Sequence, residues 1–392
     1  MATAAIVAGG GIAGLTTGLS LARIGIACKI LERSISFQEA GAGLQLSPNA
    51  TRVLSSLSLL PKIERVAMRP ALLRILRGSD SGHLATMRLA DAQRRWGSPY
   101  LVVHRADLLA ALLTSAEESS EIELVAGTEL TSFHASSDGI SLGAQKDGSS
   151  LEESADFLIG ADGLRSRTHD GLFQTTNPIR ATGRTAFRTN IPGKNLADRW
   201  LEPEIYLRLG PNAHLVHYPL RNGSTVNVVA VVDGVFHGST DATWNGVADR
   251  SAVDRAFRGW SGETLRLLEA AEDWRSWPLF DRRPIKAYSH GRVALVGDAA
   301  HPMEPFLAQG AAQAIEDAGA LGAALAERTD ISEALRLYSQ KRVARATRVQ
   351  NEARRQASIY HLTGLAAAAR DAAMQMLGGN WMMSRYDWLY GS

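Results

Sequence analysis

Three short runs rich in glycine and aspartate stand out because each follows a buried apolar segment, where a backbone turn can hold a ligand. The first glycine run spans residues 9–14, the second is Asp162-Gly163, and the third is Gly297-Asp298. Glycine lets backbone N–H groups approach an anion closely, and a helix that starts after such a turn directs its partial positive charge at that anion. In this order and at this spacing, the three runs predict one site that cradles a long dinucleotide.

The first glycine run has the Gly-x-Gly-x-x-Gly pattern between a predicted strand at residues 4–8 and a predicted helix. Gly9 permits the tight turn, Gly11 lets a pyrophosphate approach the backbone, and Gly14 lets the helix pack closely against the strand. Glu32 follows the next predicted strand, where its carboxylate can accept hydrogen bonds from ribose hydroxyls. This run alone does not distinguish NAD from FAD.

The third glycine run indicates a flavin. Residues 293–297 predict a further strand, and Gln309-Gly310 marks the start of another helix. The Asp298 carboxylate can accept hydrogen bonds from a ribityl chain. The helix near Gly310 can direct its positive end at the pyrimidine side of a reduced isoalloxazine. Since a protein that binds only NAD meets no ribityl chain, the sequence predicts FAD.

Between the second and third runs the pattern changes to that of an antiparallel sheet. Residues 206–209, 214–220 and 225–232 are rich in strand-forming side chains, and Asn222-Gly223 predicts a hairpin turn between the last two segments. Because side chains alternate across a strand, His214 and Tyr218 share one face and His217 lies on the other. We interpret this sheet as the floor of a substrate pocket.

The composition is that of a soluble globular protein, with 392 residues of which 45% are hydrophobic and 21% charged. A net charge of +2 argues against a dedicated nucleic-acid-binding protein. Cys28 is the only cysteine and is expected to be a buried small side chain, which suits a reducing cytoplasm. The sequence shows no export leader, no apolar stretch long enough for a membrane span and no metal-ligand spacing, so we expect a cytoplasmic protein without membrane or metal.

The whole set of motifs resembles the single-component FAD-dependent aromatic-ring hydroxylases of the para-hydroxybenzoate hydroxylase fold. Within that family the chain is most similar to the branch of salicylate hydroxylase, 3-hydroxybenzoate 6-hydroxylase and 6-hydroxynicotinate 3-monooxygenase. The resemblance covers essentially the whole chain. Beyond the three glycine runs it rests on residues 41–50, 104–108, 277–282 and 385–388.

The resemblance implies an enzyme that transfers a hydride from NADH or NADPH to FAD and then reacts the reduced flavin with O2. A flavin hydroperoxide transfers one oxygen atom to the ring of a small, salicylate-like phenolic acid. The nicotinamide cofactor binds transiently, without a Rossmann domain of its own. The residues expected to bind the cofactor are Gly9, Gly11, Ala13, Gly14, Glu32, Arg33, Gln45, Arg105, Asp162, Asp298, Gly310 and Ala311.

The resemblance also implies roles on the substrate side. His214 and Tyr218 match positions that the family uses in its active site, where a base or hydrogen-bond partner makes a phenol more nucleophilic. Arg188, Pro305 and Phe306 are expected to line the substrate pocket.

Other polar residues in these segments leave alternatives open. Both Arg184 and Arg188 can pair with a substrate carboxylate, and a surface charge or a contact with the cofactor domain is the alternative for each. His301 is expected to be structural, packing the turn of the third glycine run.

Two departures from the family narrow the substrate. The hydroxynicotinate enzyme has histidine where this chain has Gln45 and again where it has Phe306, which counts against a pyridine substrate. The 3-hydroxybenzoate enzyme has glutamine where this chain has Pro305, which counts against that substrate.

The expected fold is α/β, with a Rossmann-like FAD-binding domain interleaved with an antiparallel β-sheet substrate domain and a C-terminal helical region. The FAD-binding domain is predicted to comprise residues 1–70, 101–175 and 280–330, the substrate domain residues 71–100 and 176–279, and the C-terminal helices residues 331–392. The tail around residues 381–390 is expected to form core or a dimer interface. Monomer and homodimer both remain open.

Two other functions remain open at this point. A flavin monooxygenase or epoxidase of an apolar substrate would need an apolar pocket without a partner for a carboxylate. A non-catalytic FAD-binding redox sensor would bind the flavin, yet no aromatic compound would stimulate its oxidation of NADH or NADPH.

Overall fold

The computed structural model describes residues 4–37, 41–173, 177–234 and 246–391, which form a mixed α/β protein. The strands are β1 (Ala4–Ala8), β2 (Ala27–Leu31), β3 (Gly43–Leu46), β4 (Leu72–Arg77), β5 (His83–Met87), β6 (Leu101–His104), β7 (Ile122–Val125), β8 (Thr128–Ala135), β9 (Ile140–Lys146), β10 (Ser149–Ala155), β11 (Phe157–Gly160), β12 (Arg180–Pro192), β13 (Glu204–Gly210), β14 (Ala213–Leu220), β15 (Thr225–Asp233), β16 (Gly246–Val247), β17 (Arg275–Asp281), β18 (Ser289–His290) and β19 (Val293–Leu295). The α-helices are α1 (Ile12–Ala22), α2 (Pro48–Ser56), α3 (Leu60–Glu64), α4 (Ala92–Trp96), α5 (Arg105–Glu117), α6 (Arg167–Phe173), α7 (Arg250–Ala256), α8 (Gly262–Glu269), α9 (Gly310–Glu327), α10 (Ile331–Tyr360), α11 (Gly364–Ser384) and α12 (Asp387–Tyr390).

A largely parallel sheet brings the three glycine runs together. Its strand order is β18-β19-β11-β1-β2-β7, and every pair is parallel except the edge pair β18–β19. Because β1, β11 and β19 are neighbours, their carboxyl ends meet at one edge of the sheet, which is where ligands bind in such folds. Three segments that are far apart in sequence therefore end at the same place.

The strand β1 is apolar throughout because it is covered on both faces. Ala5 and Val7 pack into the core formed with α1, α5 and α9. Ile6 and Ala8 pack against the small sheet of β8, β9 and β10 on the opposite face. A parallel strand buried on both faces needs a continuous apolar run, which is the pattern that the sequence shows.

A second sheet of eight strands forms the other half of the protein. Its order is β16-β17-β12-β15-β14-β13-β4-β5, and every pair is antiparallel except β4–β13. The hairpin between β14 and β15 turns at Arg221–Gly223, where φ is 55° at Asn222 and 83° at Gly223. The predicted hairpin is therefore confirmed, because asparagine and glycine tolerate this left-handed backbone.

The division of the strands between the two sheets largely follows the predicted domain bounds. The parallel sheet takes all its strands from residues 1–70, 101–175 and 280–330. The eight-stranded sheet takes its strands from residues 71–100 and 176–279, apart from the last two residues of β17. The division into domains stays a prediction, which this sorting supports.

The C-terminal tail packs back onto the body. Asp387 accepts hydrogen bonds from Trp96 Nε1 and Arg95 Nε, both at 2.7 Å. Leu389 and Tyr390 are buried in the core beside the eight-stranded sheet. Part of the Met- and aromatic-rich segment therefore belongs to the core, which is one of the two roles predicted for it.

A buried carboxylate joins the third glycine run to the helices behind it. Asp317 on α9 accepts hydrogen bonds from Gly297 N at 2.8 Å and from Arg342 Nε at 2.6 Å, and His301 Nε2 lies 2.5 Å from it. Burial raises the pKa of Asp317, but His301, Arg342 and the Gly297 N–H outweigh it and hold the pKa below its usual 3.8. Asp317 is therefore ionised at neutral pH, and His301 is structural, as predicted.

Replacing this carboxylate should destabilise the whole protein. Asp317→Ala removes one of the two carboxylates that pair with the buried Arg342 guanidinium, the other being Glu316, and it also removes the acceptor of the Gly297 N–H. We expect this to lower the free energy of unfolding by about 3–5 kcal/mol. Because the folded-state pKa lies below that of the unfolded chain, the stabilisation is present at neutral pH and declines as the pH falls below 3.8. Urea unfolding at several pH values would measure both effects.

The control for that experiment is an ion pair on the surface. Glu327→Gln removes the exposed pair with Lys341, and we expect its urea midpoint to match that of the unchanged protein. An Asp317→Ala variant as stable as this control would contradict the structural role of the cluster.

Candidate active site

The turn after β1 contains glycines of two kinds. Gly9 has a φ of 108°, and a Cβ on Gly14 would overlap the carbonyl of Gly9. These two glycines are therefore needed for the turn and for packing. Gly11, which immediately precedes α1, has no described atom within 4 Å of the position of a Cβ. Its open face leaves the start of α1 accessible to an anion.

Glu32 lies at the end of β2, beside this turn. Its carboxylate oxygens accept hydrogen bonds from Gly10 N and Ser34 N, each at 2.8 Å. A carboxylate oxygen has a second lone pair, so each can also accept a hydrogen bond from a ribose hydroxyl. Arg33, the next residue, is exposed.

The third glycine run brings a second helix start to the same place. A Cβ on Gly297 would lie 3.0 Å from Ala13 on α1 and 3.2 Å from Ala314 on α9, so the two helices meet at this turn. Asp298 is exposed there. Gly310, which opens α9, has no described atom within 4 Å of a Cβ position, and Ala311 beside it is half-buried. Two open helix starts at one turn suit a ligand with both a pyrophosphate and an electron-accepting ring.

The second glycine run is shaped by its own aspartate. Asp162 accepts hydrogen bonds from Ser166 Oγ at 2.5 Å and from Thr168 N at 3.0 Å, and Gly163 has a φ of 75°. Asp162 therefore orders the turn that leads from β11 into α6. The sequence predicts that Asp162 binds the cofactor. In the structure, its carboxylate holds the turn together through Ser166 and Thr168.

A cavity of about 70 Å³ lies against the eight-stranded sheet. At roughly 10–15 Å³ for each water molecule, it holds about five, which limits a ligand to about one aromatic ring. Its floor is the sheet, and the facing walls come from the segments around β3 and after β19 and from the tail. The residues that line the cavity include Gln45, Tyr100, Leu207, His214, Val216, Pro305, Phe306, Tyr360, Met382, Tyr386 and Tyr390.

Strand alternation sorts the candidate catalytic residues as predicted. His214 and Val216 line the cavity, and Tyr218 lies on the same face and belongs to the same core. His217 lies on the opposite face, where its ring stacks on Tyr206 with the centroids 4.7 Å apart. Tyr218 does not itself line the cavity but lies immediately beside it.

His214 is a buried, neutral imidazole. Its ring packs against Phe306 and Tyr360, with centroids 5.0 Å and 5.2 Å away, and its Nδ1 lies 2.8 Å from His361 Nε2. Burial is the main reason that the pKa of His214 lies well below 6.5, with His361 and Arg184 adding to the effect. A neutral imidazole whose Nδ1 is engaged can accept a proton from a ligand at Nε2.

Tyr218 and Gln45 form a hydrogen-bonded group at the edge of the cavity. Gln45 accepts a hydrogen bond from Tyr100 at 2.7 Å and also hydrogen-bonds to Tyr218. Burial raises the pKa of Tyr218 well above its usual value, so the phenol stays protonated. Gln45, which the sequence places with the cofactor, thus lines the cavity, and its contact with the cofactor stays a prediction.

The two candidate arginines differ in their partners. Arg184 forms ion pairs with Asp233 and Glu304, each at 2.8 Å, so its charge is already balanced. Arg188 stands over the Trp277 ring at 5.1 Å, and no ion pair joins it to a carboxylate in the described ranges. Burial first, and then the nearby Arg105, lower the pKa of Arg188 to about 10. An anion placed near Arg188 and Arg105 would relieve this repulsion.

Comparison with known proteins identifies this arrangement. A family described as FAD binding domain matches residues 2–353. The chain is 34% identical to 3-hydroxybenzoate 6-hydroxylase of Polaromonas naphthalenivorans (strain CJ2) over 392 residues, covering 98% of this chain and 95% of that protein. It is 36% identical to 3-amino-4-hydroxybenzoate 2-monooxygenase of Streptomyces platensis over 388 residues, with the same coverage of 98% and 95%.

This chain belongs to the FAD-dependent aromatic hydroxylases. Its fold also matches a solved salicylate hydroxylase substrate complex with a TM-score of 0.84 at 24% identity, covering 100% of this chain and 96% of the other. The predicted α/β fold, the FAD cofactor and the assignment as an oxidoreductase are thereby confirmed. Within the described ranges of this hydroxylase, no helix is both long and apolar enough to cross a membrane.

The sequence did not reveal several residues that complete the site of this hydroxylase. His361, which contacts His214, follows a long helix and has no local pattern that marks it. One cavity wall consists of Tyr360, at the end of α10, and of three tail residues, Met382, Tyr386 and Tyr390. The sequence indicated only that the tail packs onto the body. The concentration of aromatic residues in that tail was the one available signal.

The two kinds of glycine give a matched pair of variants. Gly11→Ala adds a methyl group in open space, so we expect unchanged thermal stability of the flavin-free protein and at least roughly tenfold weaker FAD binding. Gly14→Ala forces the methyl group onto the Gly9 carbonyl, which we expect to cost about 1–3 kcal/mol of stability as well. Flavin titration and thermal unfolding would measure both. Unchanged FAD affinity in Gly11→Ala would show that the phosphate does not lie at this turn.

Proposed function

We propose that this protein hydroxylates a small hydroxybenzoate, of the size and kind of salicylate, using FAD, NADH or NADPH, and O2. Both sequence relatives described above carry a hydroxybenzoate in their names and match nearly the full length of the chain. The size of the cavity limits its ligand to about one aromatic ring. Its lining includes Gln45, whose segment the family resemblance places beside the flavin, and Pro305, which the resemblance places in the substrate pocket.

One observation carries the proposal: a neutral, buried imidazole lines a cavity of single-ring size. When bound, the flavin supplies the reducing equivalents from the nicotinamide and the electrophilic oxygen atom. His214 accepts the phenolic proton, which makes the ring electron-rich enough to be attacked. An apolar substrate would give this histidine no proton to accept, and a redox sensor would need no such cavity.

The other cavity residues orient the ring and exclude water. Leu207, Val216 and Phe306 provide apolar walls, against which an aromatic ring is held by burial. Gln45, which is itself hydrogen-bonded to Tyr218 behind it, can hydrogen-bond to a ring hydroxyl from one side. Apolar walls around the ring and a hydrogen-bonding group on one side together fix the position of the phenolic oxygen in the cavity.

Arg188 is the proposed partner of the substrate carboxylate. The lining of the cavity itself, as far as the chain is described, includes no arginine or lysine. Arg188 lies on the same face of the sheet, opposite Val229, which in turn is opposite Val216. Its unbalanced charge favours a carboxylate pointing toward it from the cavity.

The direct test is oxidation of NADH and NADPH by the FAD-loaded protein in air, with a panel of hydroxybenzoates and matching neutral phenols. We expect a hydroxybenzoate to stimulate oxidation, with an equal amount of hydroxylated product measured by chromatography. Stimulation without product would mean that the flavin reduces O2 unproductively. Bound flavin with no stimulation by any phenolic acid would contradict the proposal.

Substitution of Arg188 tests the carboxylate contact separately. A hydrogen bond to a charged group is worth about 1.5–3 kcal/mol, so Arg188→Met should raise the KM for a hydroxybenzoate by roughly tenfold or more. The KM for the corresponding hydroxybenzamide should change little, and Arg188→Lys should retain part of the preference. Equal losses for acid and amide would show that Arg188 does not hold the carboxylate.

A further inference from the structure

A line of polar side chains leads from the cavity toward the edge of the protein. His214 Nδ1 lies 2.8 Å from His361 Nε2, and His361 Nδ1 lies 2.8 Å from Asp233 Oδ1. The second contact falls outside hydrogen-bonding angles, so the ring must rotate slightly to direct its N–H at the carboxylate. The side chain of His361 is 3% exposed, whereas that of Asp233 is 31% exposed.

Backbone hydrogen bonds hold these three residues in place. Asn212, in the turn between β13 and β14, accepts a hydrogen bond from Asp233 N at 2.9 Å and donates one to His361 O at 3.3 Å. Arg184 Nε donates to Asp233 Oδ1 at 2.8 Å from the neighbouring strand β12. The turn therefore fixes the end of α10 and the end of β15 relative to each other.

A proton accepted by His214 cannot remain there. Burial keeps the pKa of this imidazole well below its usual value, and His361 and Arg184 lower it further. Burial raises the pKa of Asp233, but His361 and Arg184 outweigh it and keep the carboxylate ionised. In the described part of the chain, the other titratable groups that face this line are Glu304, which is paired with Arg184, and the phenol of Tyr360. The only partly exposed end of the line is Asp233.

We propose that His361 and Asp233 form a proton relay that connects His214 with solvent during hydroxylation. The proposal rests on the proposed function, since it concerns the phenolic proton of the substrate. Both residues act through His214, so they are positioning and relay residues that do not contact the ring.

Each transfer in the relay breaks one bond to hydrogen and forms another, with no change in oxidation state. The phenolic O–H breaks as an N–H forms at His214 Nε2, and the proton on His214 Nδ1 passes to His361 Nε2. The proton on His361 Nδ1 passes to Asp233, which releases it to water. The same steps in reverse reprotonate the hydroxylated product and restore both imidazoles to their starting tautomers.

Replacement of His361 by glutamine separates hydrogen bonding from proton transfer. Glutamine can accept the hydrogen bond from His214 but cannot pass a proton onward. We expect His361→Gln to lower kcat by roughly tenfold or more, the scale of general acid–base effects. The KM for the hydroxybenzoate should change far less than kcat. Asp233→Asn should act in the same direction, and thermal unfolding would show that each variant is folded.

A second measurement does not depend on turnover. Binding a hydroxybenzoate to the oxidised holoenzyme without O2 and recording its ultraviolet spectrum gives the rate at which the bound phenol ionises after a jump in pH. We expect slower ionisation in His361→Gln, with partial recovery when imidazole is added to His361→Gly. A merely structural role would change the amount of bound ligand and leave this rate unchanged.

His217→Gln provides the matched control, because His217 is also buried on β14 but faces the opposite side of the sheet. Its kcat and ionisation rate should equal those of the unchanged protein. If the unchanged protein hydroxylates a hydroxybenzoate and His361→Gln does so with the same kcat and ionisation rate, the relay is wrong and the proposed function stands. If the unchanged protein neither hydroxylates nor ionises any member of the panel, both are wrong.

Discussion

The buried carboxylate of Asp317 is the interaction on which the arrangement of the site depends. It binds the backbone of the third glycine run, the ring of His301 and the guanidinium of Arg342. These contacts fix the turn of the third glycine run to α9 and to α10. Since α10 spans 30 residues and ends beside His361, one cluster of charges positions both this turn and, at the far end of the helix, the histidine pair of the cavity.

The register of one hairpin decides which histidine faces the cavity. His214 and His217 lie three positions apart on β14, on opposite faces of the sheet. A slip of one residue would turn the whole set of side chains over and place His217 at the cavity. The turn at Asn222 and Gly223 opposes such a slip, because turn type and loop length set the register of a hairpin. The choice of histidine at the cavity thus depends on a turn outside the cavity.

Elements that local sequence signals mark could be predicted, whereas contacts between residues far apart in sequence could not. The bounds of β1 and β2 and the start of α9 at Gly310 match the sequence prediction, because an apolar run and a glycine mark each of them. The strand β19 ends two residues before the predicted position, since Gly297 has a φ of 61° and leaves the extended conformation. Arg184 and Arg188 look alike in sequence, yet among the residues that the structure describes only Arg184 pairs with carboxylates, those of Asp233 and Glu304 far along the chain. The contact between His214 and His361 joins residues 147 positions apart, and a periodic sequence pattern cannot predict such a contact.

The far wall of the cavity comes from a part of the chain that does not form the glycine turns. Met382 on α11, Tyr390 on α12 and Tyr386 between these helices face the sheet across the cavity, whereas the glycine turns extend from β1, β11 and β19. Substitutions in these last two helices therefore reshape the space around the ring without altering the phosphate cradle. In this architecture the shape of the cavity can therefore change in evolution independently of the glycine turns.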